Sequence, residues 1–269
     1  MLRRSALAVL PAFLLALYVS SITLSAQTPQ TLWIRGDSYR LKSTVYVGSR
    51  ASSTPDLVIV LHGDAPFAKP SYQDSLAQRI AARFPGTVAA AILRPGYTDP
   101  EGNTSDGIRG QTTGDNYNAT NTDALAAVID SLKARFHARK VVLVGHSGGS
   151  AISANILGRH PSLADAALLV SCPCDVTAWR AHMLTKTKFA GFEGPISTLS
   201  PIDLVAGVSA KVPVVMMVGD SDDVAPPELT RTYEAKAKEL GKTIHVVLVH
   251  GGHEIFLRPE VLEELGKLL

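Results

Sequence analysis

The stretch KVVLVGHSGG, residues 140–149, decides the fold. Its aliphatic half predicts a buried β-strand over 140–144, and the residues from Gly149 to Leu157 predict a helix. A tight turn between a strand and a helix is the setting that the motif G-x-S-x-G requires, with Ser147 exposed on the turn as a nucleophile. Glycines relieve the crowding of such a turn, and the N–H of Gly148 is open to a developing oxyanion. The stretch therefore predicts a catalytic serine, and the alternative is a purely structural Gly-Ser turn.

Two strands later in the chain end in residues that would complete this chemistry. The predicted strand 212–218 runs into an aspartate-rich loop, and the predicted strand 243–249 runs into a histidine-containing turn. A histidine can accept the serine proton, and a carboxylate can orient that histidine. Because ligands bind at the carboxyl ends of strands in open α/β sheets, we expect these groups to meet there. The candidate acids and bases are Asp220, Asp222, Asp223, His250 and His253.

An earlier buried strand, 56–61, ends in His62, Gly63 and Asp64. The loop at this place is where a second oxyanion donor belongs. We predict that the donor is the backbone N–H of Asp64, with Ala65 as the alternative. For His62 we favour a structural role, in which the ring holds its own turn, over a role as a metal ligand or base.

Short apolar runs alternate with stretches of helical period along the mature chain, which predicts an α/β fold. We expect one domain over residues 27–269, with a mostly parallel eight-stranded sheet and helices on both faces. Its expected strands cover 31–35, 41–47, 56–61, 87–93, 140–144, 166–170, 212–218 and 243–249. Residues 97–121 read as a long irregular loop, and 172–211 as an insertion with one or two short helices. A final helix is predicted over 254–269.

These features resemble the α/β-hydrolase superfamily, over essentially all of residues 40–269. The shared motifs are the H-G turn, G-H-S-G-G, the acid loop G-D-S-D-D-V-A-P and the terminal G-G-H. The approach to the acid strand resembles secreted esterases and hydrolases of the prolyl-oligopeptidase type. The resemblance implies that Asp222 is the acid and His253 the base, and that no organic cofactor or metal takes part. It also implies that the insertion is too short for a large cap.

Asp64 departs from the pattern of the family, in which many relatives have an apolar residue or glycine at this place. A carboxylate there would oppose the developing charge unless it turns to solvent or forms a salt bridge. Arg94 and Arg109 are candidates for binding an anionic substrate group, although solvated surface arginines are commoner. Tyr97 and Tyr117, with Trp179, are candidate substrate-binding residues that could line an acyl or aromatic pocket. The alternative is that these aromatic rings pack the loop and the insertion onto the core.

Composition excludes several other classes of protein. The chain has 269 residues, of which 46% are hydrophobic and 19% charged, so it is not a disordered or collagen-like sequence. The formal net charge of +2 gives no reason to expect nucleic acid as a partner. Two cysteines, Cys172 and Cys174, are too few for a disulfide scaffold. They form either a structural pair or a labile bridge.

Residues 1–26 have the layout of a secretory signal peptide, with two arginines, an apolar run and small residues before Gln27. We expect a secreted or periplasmic protein without stable membrane insertion after cleavage, and an uncleaved N-terminal anchor is the alternative. The functional hypothesis is a serine hydrolase that acts on a small-molecule ester. A peptidase acting on short peptides and a non-catalytic binding protein are the rivals, and the oligomeric state stays open.

Overall fold

In a computed structural model of the chain, residues 28–269 are described, and their eight strands form one sheet. The expected signal peptide, 1–26, lies outside the described residues. The strand order is β1-β2-β4-β3-β5-β6-β7-β8. β1 is antiparallel to β2 and β2 to β4, and all other neighbours are parallel. The strands are β1 (Gln30–Arg35), β2 (Arg40–Val47), β3 (Asp56–Leu61), β4 (Thr87–Ile92), β5 (Lys140–His146), β6 (Ala166–Val170), β7 (Val214–Gly219) and β8 (Ile244–Val249).

Helices cover both faces of the sheet, because the central strands are apolar on both sides. In β3, Leu57, Ile59 and Leu61 point into the core under α2 (Ala119–Arg135) and α3 (Gly148–Arg159). Val58 and Val60 point into the core on the other face, under α1 (Tyr72–Arg83) and α7 (Pro259–Leu268). The predicted mostly parallel sheet is thereby confirmed. The helices are α1 (Tyr72–Arg83), α2 (Ala119–Arg135), α3 (Gly148–Arg159), α4 (Val176–Thr187), α5 (Pro201–Leu204), α6 (Pro227–Glu239) and α7 (Pro259–Leu268).

Helix ends differ from the predicted ends where capping decides them. α2 begins at Ala119, inside the segment 97–121 predicted as a loop, because the Asn118 side chain accepts a hydrogen bond from the Asn121 amide at 2.9 Å. The closing helix begins at Pro259 rather than at residue 254. Proline disfavours helical dihedrals in the residue before it, and Arg258 is extended, with φ −74° and ψ 154°.

The insertion 172–211 carries more helix than expected. α4 spans 12 residues, and the Asp175 side chain caps its first turn by accepting from the Ala178 amide at 3.0 Å. Two 3₁₀ turns and the four-residue α5 make up the rest of its regular structure. Cys172 and Cys174, both buried, are joined in a disulfide. The insertion is thus a short cover and not a large cap.

No helix among residues 28–269 combines the length and the apolar composition of a membrane-spanning segment.

Candidate active site

Ser147 occupies a strained turn between β5 and α3. Its backbone has φ 50° and ψ −120°, a region that residues with a side chain rarely adopt. A methyl group on Gly145 would lie 2.5 Å from the carbonyl oxygen of Gly149, and one on Gly149 would lie 2.5 Å from that of Leu61. The turn therefore needs glycine on both sides of the serine, and it lifts the side chain of Ser147 at the carboxyl end of the sheet.

Asp222 and His253 lie together at the ends of neighbouring strands. The Nδ1 atom of His253 is 3.0 Å from Oδ1 and 2.9 Å from Oδ2 of Asp222. An ionised carboxylate only accepts hydrogen bonds, so Nδ1 carries the proton and Nε2 keeps a free lone pair. Oδ1 also accepts from the amides of Val224 (3.0 Å) and Ala225 (2.8 Å). Burial acts to raise the pKa of Asp222, but His253 and these amides outweigh it and hold the pKa below its usual range.

The imidazole of His253 lies beside the turn that carries the serine. Its ring centre is 5.0 Å from that of His146, the residue before Ser147. Within residues 28–269, the hydroxyl of Ser147 and the ring of His253 share no hydrogen bond. Such contacts are often long without substrate and shorten in the Michaelis complex. The structure therefore joins Asp222 to His253 directly and places the ring of His253 beside His146, the residue before Ser147.

The other candidate acids and base lie at the surface. His250 Nδ1 is 3.1 Å from Asp220 Oδ2, and the histidine side chain is 95% exposed. Asp223 is 75% exposed and forms an ion pair with Lys186 at 2.6 Å. Neither aspartate is the partner of His253, which agrees with the assignment that the family resemblance implies.

Backbone amides at the turn and in the loop after β3 remain free to bind an oxyanion. Among the described residues, the N–H groups of Gly148, Asp64 and Ala65 donate no hydrogen bond. The N–H of Gly63 donates to the hydroxyl of Tyr72 and is therefore not available. Both Asp64 and Ala65 remain candidates for the second donor.

The carboxylate of Asp64 is neutralised by a buried cation. Its Oδ1 lies 3.0 Å from Nη2 of Arg94 and accepts from the hydroxyl of Tyr97 at 3.1 Å, and its Oδ2 accepts from the hydroxyl of Tyr117 at 2.6 Å. This group borders the oxyanion site, because a methyl on Gly148 would lie 2.6 Å from Oδ1 of Asp64. The predicted conflict between Asp64 and an oxyanion is thus relieved by a salt bridge.

The Arg94 guanidinium is fully buried and held from several sides. Nη1 donates to the carbonyl of His62 at 3.1 Å and Nη2 to Asn116 Oδ1 at 2.7 Å. Its centre lies 5.1 Å and 5.7 Å from the rings of Tyr97 and Tyr117. Burial acts against the charge, but the surrounding groups, Asp64 among them, raise the pKa of Arg94 above its usual value. Arg94 is therefore a permanent buried cation.

These contacts correct the expectations for Arg94 and decide between the two alternatives for the aromatic residues. Arg94 is neither a solvated surface residue nor accessible to an anionic substrate. Tyr97, Tyr117 and Trp179 are buried, with the tyrosine hydroxyls on Asp64 and the indole N–H donating to the carbonyl of Val224 at 3.0 Å. Their side chains hold the loop and the insertion against the core instead of lining an open pocket.

The pairing of Arg94 with Asp64 is the feature of this site that the sequence did not predict. Arg94 follows β4, the sheet neighbour of β3, after which Asp64 stands. An unpaired carboxylate near an oxyanion site requires a cation, and an arginine at the end of the adjacent strand was the signal that could have found it.

We expect Arg94→Met to lower the free energy of unfolding by about 3–5 kcal/mol, because it leaves the Asp64 carboxylate without its buried partner. Urea unfolding at pH 7 measures the loss. The matched control is Arg109→Met, since Arg109 is partly exposed and reaches only the carbonyls of Ala65 and Pro66, both at 3.4 Å. A loss for Arg94→Met no larger than that of the control would contradict the assigned pairing.

Two buried histidines flank the site in the neutral form. His62 Nε2 accepts from the Arg94 amide at 3.0 Å, so Nδ1 donates to the Gly63 carbonyl at 2.7 Å, and the ring holds its own turn as predicted. Burial, reinforced by the charge of Arg94, lowers the pKa of His62 well below its usual value. Burial, reinforced by His253, lowers the pKa of His146 to about 3.

These histidines should make the fold sensitive to mild acid. Below pH 6.5 the unfolded chain protonates both imidazoles while the folded state does not, so stability falls with pH from 6.5 towards about 3 for His146. We expect a loss of about 1.4 kcal/mol per pH unit for each imidazole. Urea unfolding at pH 7, 6 and 5 measures the slope.

His146→Gln should reduce the slope by about 1.4 kcal/mol per pH unit, because it removes one buried neutral imidazole. Equal slopes for the wild type and His146→Gln would show that His146 is not a neutral buried group.

Among the described residues, no group of three or more His, Cys, Asp or Glu side chains is arranged to hold a metal ion.

The comparisons with known proteins agree with this architecture. The sequence model of the alpha/beta hydrolase family matches residues 58–203. No curated protein sequence matches the chain. An acylaminoacyl peptidase of Pyrococcus horikoshii superposes with a TM-score of 0.72 at 14% identity, over 91% of this chain and 42% of the peptidase. This chain therefore spans less than half of that protein.

Two further structures match over most of both chains. An esterase of Pyrococcus furiosus, Pf2001, has a TM-score of 0.69 at 16% identity, over 90% of each chain. Est1E from Butyrivibrio proteoclasticus, solved with ferulic acid bound, has a TM-score of 0.66 at 15% identity, over 88% of this chain and 98% of its own. At these identities the likeness shows a shared fold and nothing more.

Proposed function

This chain belongs to the alpha/beta hydrolase family, and we propose that it is a serine hydrolase that cleaves carboxylic esters through an acyl-enzyme. The observation that carries the proposal is the pairing of His253 Nδ1 with Asp222 at 2.9 Å, beside the strained turn of Ser147. A nucleophile, a base and a group that orients the base are the parts that acyl transfer by serine requires.

In the first half of the reaction, Ser147 Oγ attacks the ester carbonyl carbon while Nε2 of His253 takes the hydroxyl proton. Asp222 holds the proton on Nδ1 and stabilises the imidazolium that forms. The negative oxygen of the tetrahedral intermediate accepts hydrogen bonds from the Gly148 N–H and from a second amide, that of Asp64 or of Ala65. The intermediate collapses, the carbon–oxygen bond to the alcohol breaks, and His253 gives its proton to the leaving oxygen.

In the second half, a water molecule replaces the alcohol. His253 takes one proton from the water as it attacks the acyl carbon, and the same amides stabilise the second oxyanion. Collapse breaks the bond to Ser147 Oγ, which regains the proton from His253. The products are a carboxylic acid and an alcohol, and the enzyme returns to its starting state without a cofactor.

The environment of Asp64 favours an ester over a peptide amino terminus as substrate. A peptidase that holds a free amino terminus needs an anionic group near the nucleophile, and Asp64 borders Gly148. Its oxygens already form an ion pair with Arg94 and accept hydrogen bonds from the hydroxyls of Tyr97 and Tyr117, so they are not free for an ammonium group. The fold is shared with esterases and peptidases alike, and the choice of ester therefore rests on this contact and on the easier departure of an alcohol.

Labelling with a fluorophosphonate probe, followed by peptide mapping, tests the mechanism. We expect modification of Ser147 and none in Ser147→Ala. Turnover of p-nitrophenyl acyl esters against aminoacyl p-nitroanilides then tests the substrate class, and we expect the esters to dominate.

Absence of label on Ser147 would favour the binding-protein alternative. Dominant anilide turnover by a labelled enzyme would favour the peptidase and overturn the ester assignment alone.

We also propose that the enzyme acts outside the cytoplasm. The sequence of residues 1–26 supports this, as does the Cys172–Cys174 disulfide, since such bonds persist in oxidising compartments. Fractionation of cells that express the full chain, with N-terminal sequencing of the product, checks the location and the expected cleavage after Ala26.

A further inference from the structure

Hydrogen bonds connect the loop before the second oxyanion donor to the main chain of the base. The amide of Gly63 donates to the hydroxyl of Tyr72 on α1. That hydroxyl lies 2.9 Å from Nδ1 of His146, and Nε2 of His146 lies 3.2 Å from the carbonyl oxygen of His253. Tyr72 and His146 take no part in the proposed chemistry. Their side chains thus connect the loop at Gly63, the turn of Ser147 and the backbone of His253.

The direction of each hydrogen bond follows from the partners. The carbonyl of His253 can only accept, so Nε2 of His146 carries a proton. His146 is buried and neutral, and its Nδ1 therefore has no proton and accepts from Tyr72. The oxygen of Tyr72 is then free to accept the Gly63 N–H. Each donor in this series of hydrogen bonds therefore has one acceptor. Only one tautomer of His146, with the proton on Nε2, fits both of its contacts.

The carbonyl of His253 is held by further contacts from the same side. It accepts from Oγ of Ser171 at 3.2 Å and from the amide of Ile255 at 3.0 Å. Ser171 follows β6, whose last residue, Val170, accepts the Ser147 amide at 2.8 Å. The backbone of His253 is therefore hydrogen-bonded to side chains at the ends of two neighbouring strands, β5 and β6.

Ring packing supports this arrangement. His146 stacks on Phe256 with centres 5.1 Å apart, and Tyr72 meets the same ring edge-on at 5.7 Å. The loop at Gly63 also lies close to the serine, because a methyl on Gly63 would come within 2.9 Å of Ser147 Cβ. A shift of Tyr72 or His146 would thus change the spacing of oxyanion donor, nucleophile and base together.

We propose that Tyr72 and His146 are positioning residues, which set the distance of His253 and of the loop that carries Asp64 from Ser147. This inference rests on the proposed function. Misplacement of reacting groups by about 1 Å can cost 10²-fold in rate. Because the effect acts on the geometry of the transition state and not on substrate binding, it should lower kcat and leave KM unchanged.

Tyr72→Phe tests the first contact. We expect kcat for a p-nitrophenyl ester to fall about tenfold with KM within about twofold of the wild type, since only the hydroxyl is lost. Rates are divided by the fraction of enzyme that a fluorophosphonate titrates, so that misfolded protein does not count. The matched control is Tyr233→Phe, because the hydroxyl of Tyr233 is buried with no hydrogen-bond partner among the described residues. The control should keep the kcat of the wild type.

His146 variants test the second contact. His146→Ala removes both hydrogen bonds and should lower kcat by about 10–100-fold. His146→Gln restores an N–H that can reach the carbonyl of His253, and it should recover most of the loss. Rescue by glutamine separates a positioning contact from simple filling of space.

A titrated Tyr72→Phe enzyme with kcat within twofold of the wild type, or a His146→Gln enzyme no better than His146→Ala, would overturn this inference while the hydrolase assignment stands. A wild-type protein that neither turns over esters nor takes the label would overturn the proposed function and this inference together.

Discussion

Ser147→Ala should lower kcat for p-nitrophenyl ester hydrolysis by about 10⁶-fold, which is the scale of loss when a triad serine is removed. The alanine cannot form the acyl-enzyme, and only the oxyanion donors and substrate binding remain. The strained backbone at this residue, with φ 50°, is held by the packing of β5 and α3 and should persist in the variant. Steady-state rates at equal protein concentration measure the loss.

Ser153→Ala is the matched control for this change. Ser153 lies buried in α3, the helix that follows Ser147, and its hydroxyl donates to the carbonyl of Gly149 at 2.8 Å. Its loss should change kcat by less than about threefold, because a hydrogen bond from a helical serine to its own helix contributes little. Residual activity above about 1% in Ser147→Ala, far over the expected 10⁶-fold loss, would show that another residue is the nucleophile.

Asp222→Asn should lower kcat by about 10⁴-fold with little change in structure. The carboxylate accepts the Nδ1 proton of His253 through both oxygens, at 3.0 and 2.9 Å. An amide at the same place can donate to Nδ1 instead, which moves the ring proton to Nε2. The imidazole then has no lone pair directed at the serine and cannot act as the base. Rates measured between pH 6 and 9 check that the loss persists across this range.

The neighbouring aspartates provide the controls. Asp220→Asn alters a surface contact with His250, and Asp223→Asn alters an exposed pair with Lys186. Both should keep the wild-type kcat within about threefold, because exposed ion pairs contribute less than about 1 kcal/mol. A large loss of kcat in Asp220→Asn, with Asp222→Asn still active, would assign the role of the acid to Asp220, which pairs with His250.

Local sequence features predicted the parts of the site that depend on strand ends. The serine on its glycine-bounded turn, the acid loop after β7 and the histidine turn after β8 each follow an apolar run that can be read without coordinates. The choice of Asp222 among neighbouring aspartates needed the family resemblance, because period and composition do not distinguish residues two positions apart in a loop.

The surroundings of the site were less predictable. Arg94 is 30 residues from Asp64 in the chain, and Tyr72 is 74 residues from His146. A sequence pattern reports whether a residue suits a strand, helix or loop, but it does not report which distant side chain fills the space beside it. The burial of Tyr97 and Tyr117 was only one of two alternatives for this reason, since both lie in a loop whose composition resembles an exposed segment.

The sequence by itself determined the α/β architecture, the position of the candidate nucleophile and the chain order of the triad candidates, because these depend on hydrophobic period and on glycine at one turn. The tertiary structure alone decided that Arg94 neutralises Asp64 and that His146 and Tyr72 connect the base to the oxyanion loop. Such contacts form only when the sheet brings separate loops to one edge, where burial makes each polar group depend on its partner.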